Sequence, residues 1–246
     1  MAAPEVAAAR REARACEGEP AGVGPVVVID YHKGNLRSMA RGLQAAGADV
    51  TVSDDPAVIA SARGLVLPGV GAFADAVEFM ASSGQREAIL GALRAGVPFL
   101  GVCLGAQLLL ARGSEGAEAY GRQWTEGLGV IDGQVTRMRA GQGAKVPHVG
   151  WDTVELTDAG RDNPLFLGIR DGEYFYFTHS YVCHPADAGV VSATTTHADA
   201  FASALWDGGV VFGVQFHPEK SSEAGAALLR NFVGVVAARR QAGGKR

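Results

Sequence analysis

The first regular pattern of hydrophobic positions starts at Pro25, where a run of β-branched residues leads into an amphipathic segment. The run VVVID predicts a buried strand. The segment GNLRSMARGLQAAG then repeats its apolar side chains at helical spacing, which predicts a helix with one buried face. The residues of that face are Leu36, Met39, Leu43 and Ala46.

The alternation of strand and helix continues to about residue 125. DVTVSD and RGLVLPG have the composition of strands, and a helical stretch then reaches about Ala95. The strand VPFLGVC runs directly into LGAQLLLARG, which predicts another helix. Strands that alternate with helices form a parallel sheet covered on both faces. The sequence therefore predicts a doubly wound α/β fold.

The pattern becomes strand-rich after about residue 125, with runs such as GVIDGQVTRM, EYFYFTHSYV and AFASALWDGGVVFGVQF. We expect mixed or antiparallel strands in this half. A final helix is predicted from Ser221 to Arg239, and it begins at a serine pair suited to N-capping. Its buried stripe comprises Leu228, Leu229, Phe232, Val235 and Val236.

One compact domain is expected between two polar ends of the chain. Residues 1–24 contain hardly any large apolar side chain and predict a disordered N-terminal extension. Residues 25–240 are predicted to form the α/β domain, and residues 241–246 a flexible tail.

Composition and charge exclude several classes of function. The 246-residue chain carries a net charge of -4, so we expect no nucleic acid and no membrane as partner. Its three cysteines, Cys16, Cys103 and Cys183, are too few and too scattered to indicate disulfides or a zinc site. We therefore expect no metal, no cofactor and a reducing, cytoplasmic location.

A candidate nucleophile lies where a buried-type strand meets a helix through the pattern G-x-C-x-G. Gly101 and Gly105 flank Cys103, as a sharp strand-to-helix turn requires if it is to project a nucleophile above the sheet. A helix N-terminus at this point would favour the thiolate. Taken alone, a single cysteine after a strand is more often a small buried hydrophobic residue than a nucleophile.

A candidate base and its orienting carboxylate follow a later strand. In VVFGVQFHPEKS, Pro218 stiffens the chain between His217 and Glu219. An imidazole whose tautomer is fixed by a carboxylate is what a cysteine nucleophile needs. Both segments end strands, where open α/β sheets place their sites.

A glycine-rich turn supplies a candidate oxyanion site. LVLPGVGAF runs from a strand into a turn, where the backbone N–H groups of Val70 and Gly71 could join that of Leu104 around a tetrahedral oxyanion. These glycines could also simply form the turn. Together with Cys103 and the His-Pro-Glu segment, they favour acyl transfer.

These three segments resemble the class I, triad-type glutamine amidotransferase family from residue 25 onward. Further segments, DYHKGNLRS, KVPHVGWD and YFTHSY, make the chain similar to the glutaminase subunits of imidazole glycerol phosphate synthases. The resemblance implies a flavodoxin-like three-layer fold with a mixed central sheet. It also implies that Cys103, His217 and Glu219 hydrolyse glutamine, and that the ammonia passes to a (β/α)8-barrel cyclase partner in histidine biosynthesis.

The resemblance also assigns roles to residues outside the triad. It places Gly71, Gln107, His179, Ser180 and Tyr181 at bound glutamine, and Lys220, Asn35 and Trp151 at the partner interface or the ammonia passage. Two residues depart from the family pattern: Ala106 replaces the common Met, and Asp152 replaces the common Asn. His148 is interpreted as a structural histidine, and His32, His184 and His197 carry no motif.

Three alternatives remain from the sequence. The chain could be the glutaminase component of another synthase, although KVPHVGW and THSY argue against it. It could be a stand-alone cysteine hydrolase, which would be active without a partner. It could also be a non-catalytic assembly module, against which the complete Cys, His and Glu set argues.

Overall fold

A computed structural model describes residues 23–141 and 144–243 of the chain. The predicted N-terminal extension therefore lies outside the described residues up to position 22, and so do positions 244–246 of the predicted tail. The first strand begins at Val23 and the last helix ends at Gly243, so both elements extend beyond the predicted boundaries at residues 25 and 240. Each helix in the described part of the chain is too short or too polar to cross a lipid bilayer.

The described residues contain thirteen strands and seven α-helices. The strands are β1 Val23–Ile29, β2 Ala48–Ser53, β3 Gly64–Gly69, β4 Phe99–Cys103, β5 Leu110–Gly113, β6 Thr125–Glu126, β7 Ile131–Arg137, β8 His148–Leu156, β9 Glu173–His179, β10 Tyr181–Pro185, β11 Val191–His197, β12 Asp199–Trp206 and β13 Val211–Val214. The helices are α1 Leu36–Ala45, α2 Pro56–Ala60, α3 Phe73–Ser82, α4 Gln85–Arg94, α5 Leu104–Gln107, α6 Asp158–Asp162 and α7 Ser222–Gly243.

The central sheet is mixed, with the strand order β2-β1-β3-β4-β13-β12-β10-β7-β5-β6. The five strands from β2 to β13 are parallel, as the alternating pattern predicted. From β12 onward the pairs are antiparallel except β5 with β7, and β11 leads from β12 to β8 and then β9. The predicted doubly wound fold with a mixed sheet is confirmed. The topology brings the ends of β3, β4 and β13 together.

Both faces of the parallel strands are buried, which makes the domain three-layered. In β1, Val26 and Val28 belong to one hydrophobic cluster, whereas Val27 and Ile29 belong to the other. Because successive strand residues point to opposite faces, each cluster covers one side of the sheet. Helices α1 and α7 pack on the first side, and α2, α3 and α4 pack on the second.

The buried side chains of α1 and α7 confirm the first and the last helix predicted from the sequence. Met39 and Leu43 of α1 are fully buried, and Leu36 and Ala46 pack at the edge of the same cluster. The predicted stripe of α7 is buried apart from the half-buried Val235.

The predicted helix over LGAQLLLARG is wrong beyond its first turn. Helix α5 ends at Gln107, and β5 begins three residues later, pairing in parallel with β7. Leu108, Leu109 and Leu110 are all fully buried. An uninterrupted apolar run of this kind suits a buried strand as well as a buried helix, so its partners decide the outcome.

The serine expected to cap the last helix has a different role. The Ser221 hydroxyl donates to the carbonyl oxygen of His217 at 2.6 Å and accepts from the backbone N–H of Tyr176 at 3.0 Å. It therefore ties the turn after β13 to β9, rather than satisfying the first N–H groups of α7.

Two glycines of α7 provide a test of this packing. A Cβ at Gly225 would overlap the carbonyl oxygen of Pro218, whereas a Cβ at Gly234 would meet no atom within 4 Å. We expect Gly234→Ala to raise the free energy of unfolding by about 0.5–1 kcal/mol, since alanine favours the helix. Gly225→Ala should lower it by about 1–3 kcal/mol, through overpacking. Urea unfolding of both variants measures the difference, and a loss of stability in Gly234→Ala would contradict this packing.

Candidate active site

Cys103 lies at the sharp turn between β4 and α5. Its backbone adopts φ 55 and ψ -109, a conformation that is strained for a residue with a side chain and costs about 1–3 kcal/mol. A Cβ at Gly105 would overlap the carbonyl oxygen of Leu67, and one at Gly101 would overlap the carbonyl of Gly105. The predicted elbow is present, and both of its glycines are required by close backbone packing. Because α5 has only one turn, the expected contribution of a helix dipole to the thiolate is small.

His217 and Glu219 form a buried pair at the end of β13. His217 Nδ1 and Glu219 Oε1 are 2.9 Å apart, and their side chains are only 4% and 2% exposed. The short turn that starts at Pro218 brings the carboxylate back to the imidazole. Since the carboxylate accepts the Nδ1 proton, Nε2 is directed away from it. This Nε2 atom is buried and has no hydrogen-bond partner among the residues described.

The electrostatics of this pair favour a charged imidazole. Burial alone would lower the pKa of His217, but its interactions with Cys103 and Glu219 outweigh this effect and raise the pKa to about 9. His217 is therefore protonated at neutral pH when Cys103 carries a negative charge. A cysteine, an imidazolium and a carboxylate in this arrangement can supply a nucleophile, a proton shuttle and its orienting group.

A glutamine pair connects the nucleophile to the predicted substrate-binding segment. Gln107 Nε2 donates to the carbonyl oxygen of Tyr181 at 3.1 Å and to Gln215 Oε1 at 2.9 Å. Gln215 Nε2 in turn approaches Cys103 Sγ at 3.5 Å. Gln215 was not predicted as a site residue. The sequence contains a signal for it: Gln215 lies two residues before His217, so the two side chains point to the same side of an extended chain.

The segment His179, Ser180 and Tyr181 joins β9 to β10 beside this network. The carbonyl oxygen of Ser180 accepts from the N–H of Met138, and His179 Nδ1 is 2.9 Å from the carbonyl oxygen of Tyr181. Cys103 Sγ lies 3.8 Å from the carbonyl oxygen of Thr178. The structure therefore places the end of β9 and the start of β10 next to the nucleophile.

Two histidines behind this segment are neutral. Burial lowers the pKa of His179 to about 3, against the opposing effect of its bond to Tyr181. Burial also lowers the pKa of His148 to about 4, and its electrostatic interaction with His197 acts in the same direction. Neither group can serve as a cationic partner at neutral pH.

In the glycine-rich turn after β3, the N–H of Val70 is already hydrogen-bonded in this conformation. The Val70 N–H donates to the Tyr31 hydroxyl at 2.8 Å, and that hydroxyl donates to the Val70 carbonyl oxygen at 3.1 Å. Gly71 has a positive φ of 102. Leu104 is the first residue of α5, so its N–H is one that a helix leaves without an internal partner. The proposed oxyanion groups are therefore near each other, but that of Val70 is engaged elsewhere.

Two of the three predicted interface residues pack on the same tyrosine ring. Trp151 is half exposed and packs edge-on against Tyr176, and Lys220 lies 5.6 Å above the same ring. These two residues therefore form one surface patch with Tyr176. Asn35 lies at the N-cap of α1, where its side chain makes no capping bond.

The comparison with known proteins identifies the family. The model of glutamine amidotransferase class-I matches residues 27–235. The imidazole glycerol phosphate synthase subunit HisH of Natronomonas pharaonis is 48% identical over 210 residues, covering 85% of this chain and 93% of that protein. The subunit HisH of Halobacterium salinarum is 46% identical over 214 residues, covering 86% of this chain and 94% of that protein.

Solved structures agree at the level of the fold. PurLQS from Thermotoga maritima superposes with a TM-score of 0.62 at 18% identity, covering 85% of this chain and 97% of that one. The glutaminase domain of CTPS from Trypanosoma brucei gives 0.60 at 15% identity, with 88% and 94% covered. The chain thus belongs to the class-I glutamine amidotransferase family, among the imidazole glycerol phosphate synthase subunits HisH.

Proposed function

We propose that this chain is the glutaminase subunit of an imidazole glycerol phosphate synthase and supplies ammonia for histidine biosynthesis. One observation carries the proposal: the buried His217–Glu219 pair, 2.9 Å apart, beside Cys103 on a strained elbow. The names of relatives that match nearly over their whole length support the synthase. The cytoplasmic location expected from the sequence is part of the same proposal.

The first half of the reaction forms a thioester. The Cys103 thiolate attacks the carboxamide carbon of glutamine, and the carbonyl oxygen becomes an oxyanion. His217 then gives its Nε2 proton to the leaving nitrogen, the C–N bond breaks, and ammonia departs. Glu219 keeps Nδ1 protonated, so Nε2 remains the atom that exchanges the proton.

The second half regenerates the nucleophile. Neutral His217 takes a proton from water at Nε2, and the resulting hydroxide attacks the thioester carbon. The C–S bond breaks, glutamate is released, and the thiolate and imidazolium are restored. Gln107, Gln215 and the backbone around Tyr181 hold the substrate and the nucleophile in register.

Oxyanion stabilisation requires a change in the glycine-rich turn. The N–H of Leu104 supplies one donor, and the N–H of Val70 or Gly71 supplies the second once Tyr31 releases Val70. We propose that a (β/α)8-barrel cyclase causes this change when it docks. Lys220, Trp151 and Asn35 are the proposed contacts or lining of the ammonia passage.

Glutamate release from glutamine, with and without the cyclase and its nucleotide substrate, tests this function. We expect little turnover by the chain alone and strong turnover in the complex. Cys103→Ser should abolish the glutamine-dependent reaction, by about 10³-fold or more, while ammonium salts still support the cyclase. Cys183→Ala is the matched control, since it removes the other thiol in the described residues and should keep the activity. Strong turnover without a partner would instead indicate a stand-alone amidohydrolase.

The elevated pKa of His217 predicts an alkaline limit to activity. The imidazolium is present below pH 9 and is lost as the pH rises through about 9, so kcat/KM should fall there. Glu219→Gln removes a charge that raises this pKa, and the alkaline limb should therefore move to lower pH. The pH profile of kcat/KM for the complex measures the shift. An unmoved limb in Glu219→Gln would contradict the assigned pair.

Tyr31 should restrain the turn that forms the oxyanion site. Tyr31→Phe removes both hydrogen bonds to Val70, so the N–H of Val70 becomes available. We expect glutamate release by the isolated chain to rise by up to about 10²-fold, the value of one oxyanion donor. Tyr120→Phe, which removes an exposed hydroxyl bound to Asp75, is the control. Unchanged partner-free turnover in Tyr31→Phe would show that Tyr31 does not restrain the turn.

A further inference from the structure

A second cluster of polar side chains lies outside the triad, between β8 and the end of β11. It consists of His148, Asp152 and His197, each of which has one nitrogen or oxygen atom within 4.8 Å of those of the other two. His148 is buried, and the other two residues are half-buried. The cluster therefore combines one buried side chain with two that solvent can reach.

The hydrogen bonds behind this cluster determine where the protons lie. The carbonyl oxygen of Tyr181 can only accept, so His179 carries its proton on Nδ1 and has a lone pair on Nε2. His148 Nδ1, 3.2 Å from this lone pair, must then be the donor. A neutral His148 consequently has its own lone pair on Nε2.

The lone pair of His148 faces another acceptor. His148 Nε2 is 3.4 Å from Asp152 Oδ2, and no hydrogen stands between them in this tautomer. His197 has the same character, because its Nε2 donates to the carbonyl oxygen of Lys145 at 2.9 Å. Its Nδ1 therefore carries a lone pair. The rings of His148 and His197 are stacked, with centroids 4.0 Å apart and planes at 17°, so their lone pairs lie near the Asp152 carboxylate but do not point at one position in this conformation.

We propose that His148 Nε2, His197 Nδ1 and the Asp152 carboxylate bind a divalent transition-metal ion of the Zn²⁺ type. Two imidazoles and one carboxylate are an established donor set for such ions, with water completing the coordination. Each imidazole has its other nitrogen hydrogen-bonded to the protein, as metal-binding histidines commonly do.

The His197 ring must rotate out of its stack on His148 before both imidazoles can reach a common ion, because a metal lies close to the plane of each ring that binds it. Donor atoms around tetrahedral zinc are roughly 3.4 Å apart, so the 4.8 Å spread must contract. His197 is the ligand able to move, because it ends β11 and precedes Ala198, which has a positive φ in the turn to β12. The bound ion would join β8 to this turn. Through His148 and His179 it would also stabilise the position of the Tyr181 carbonyl.

Titration with Zn²⁺ tests the site in the full-length, untagged chain. Cys16 and Cys103 are replaced by serine throughout, so that these two thiols do not bind the ion. Competition with a chromophoric chelator should reveal one Zn²⁺ per chain. Asp152→Asn and His197→Gln, each at the accessible side of the cluster, should weaken binding by at least about tenfold. The control is Asp54→Asn, which alters an exposed His–Asp pair with no third ligand among the described residues, and it should leave the affinity unchanged.

Nitrogen NMR of the histidine rings identifies the ligands independently of affinity. We expect Zn²⁺ to shift Nε2 of His148 and Nδ1 of His197, while Nδ1 of His148 keeps its proton. Binding that survives both Asp152→Asn and His197→Gln would overturn the proposal. The proposal would also be overturned if Zn²⁺ did not bind and His148 carried a proton on Nε2 at pH 7. A proton shared with Asp152 would then explain the cluster.

Discussion

The site depends on the close approach of two backbone segments at the C-terminal ends of β3 and β4. Gly105 lies directly against the carbonyl group of Leu67, and a Cβ at Gly69 would come within 2.8 Å of the Gly105 nitrogen. No side chain fits between these segments, so the turn after β4 is forced back over β3. This contact holds Cys103 in its strained conformation and places the glycine-rich turn beside it. The strain is local, whereas the buried strands that maintain it extend through the whole sheet.

The buried His217–Glu219 pair is stable only because several bonds fix it. Two groups with side chains under 5% exposed would be costly to desolvate if they were not paired. Here the carboxylate meets Nδ1 at 2.9 Å, and Ser221 holds the His217 carbonyl while binding the N–H of Tyr176. The turn after β13 is thereby fixed to β9. The proton shuttle and the strand that ends beside the nucleophile are consequently positioned together.

The sequence predicted those features that depend on local pattern. The strands that precede Val70, Cys103 and His217 could be recognised from short apolar runs followed by turn residues, and the topology confirmed that they end at one edge. The course of the chain after Gln107 could not be predicted, because three consecutive leucines suit either structure and the choice depends on pairing with β7. The spacing of Gln215 from His217 indicates that they share a face, but its contacts with Gln107 and Cys103 span more than 100 residues and could not be predicted.

The same limit explains the cluster of His148, Asp152 and His197. The sequence separates His197 from the other two by more than forty residues, and no spacing motif joins them. Their convergence results from the pairing of β8 with β11, and their tautomers follow from the carbonyl groups of Tyr181 and Lys145. Asp152, a departure from the family pattern, supplies the only carboxylate of the three. If Asn occupied position 152, a neutral amide would face His148. Its N–H group can donate to the lone pair of the imidazole, so no cation is needed there.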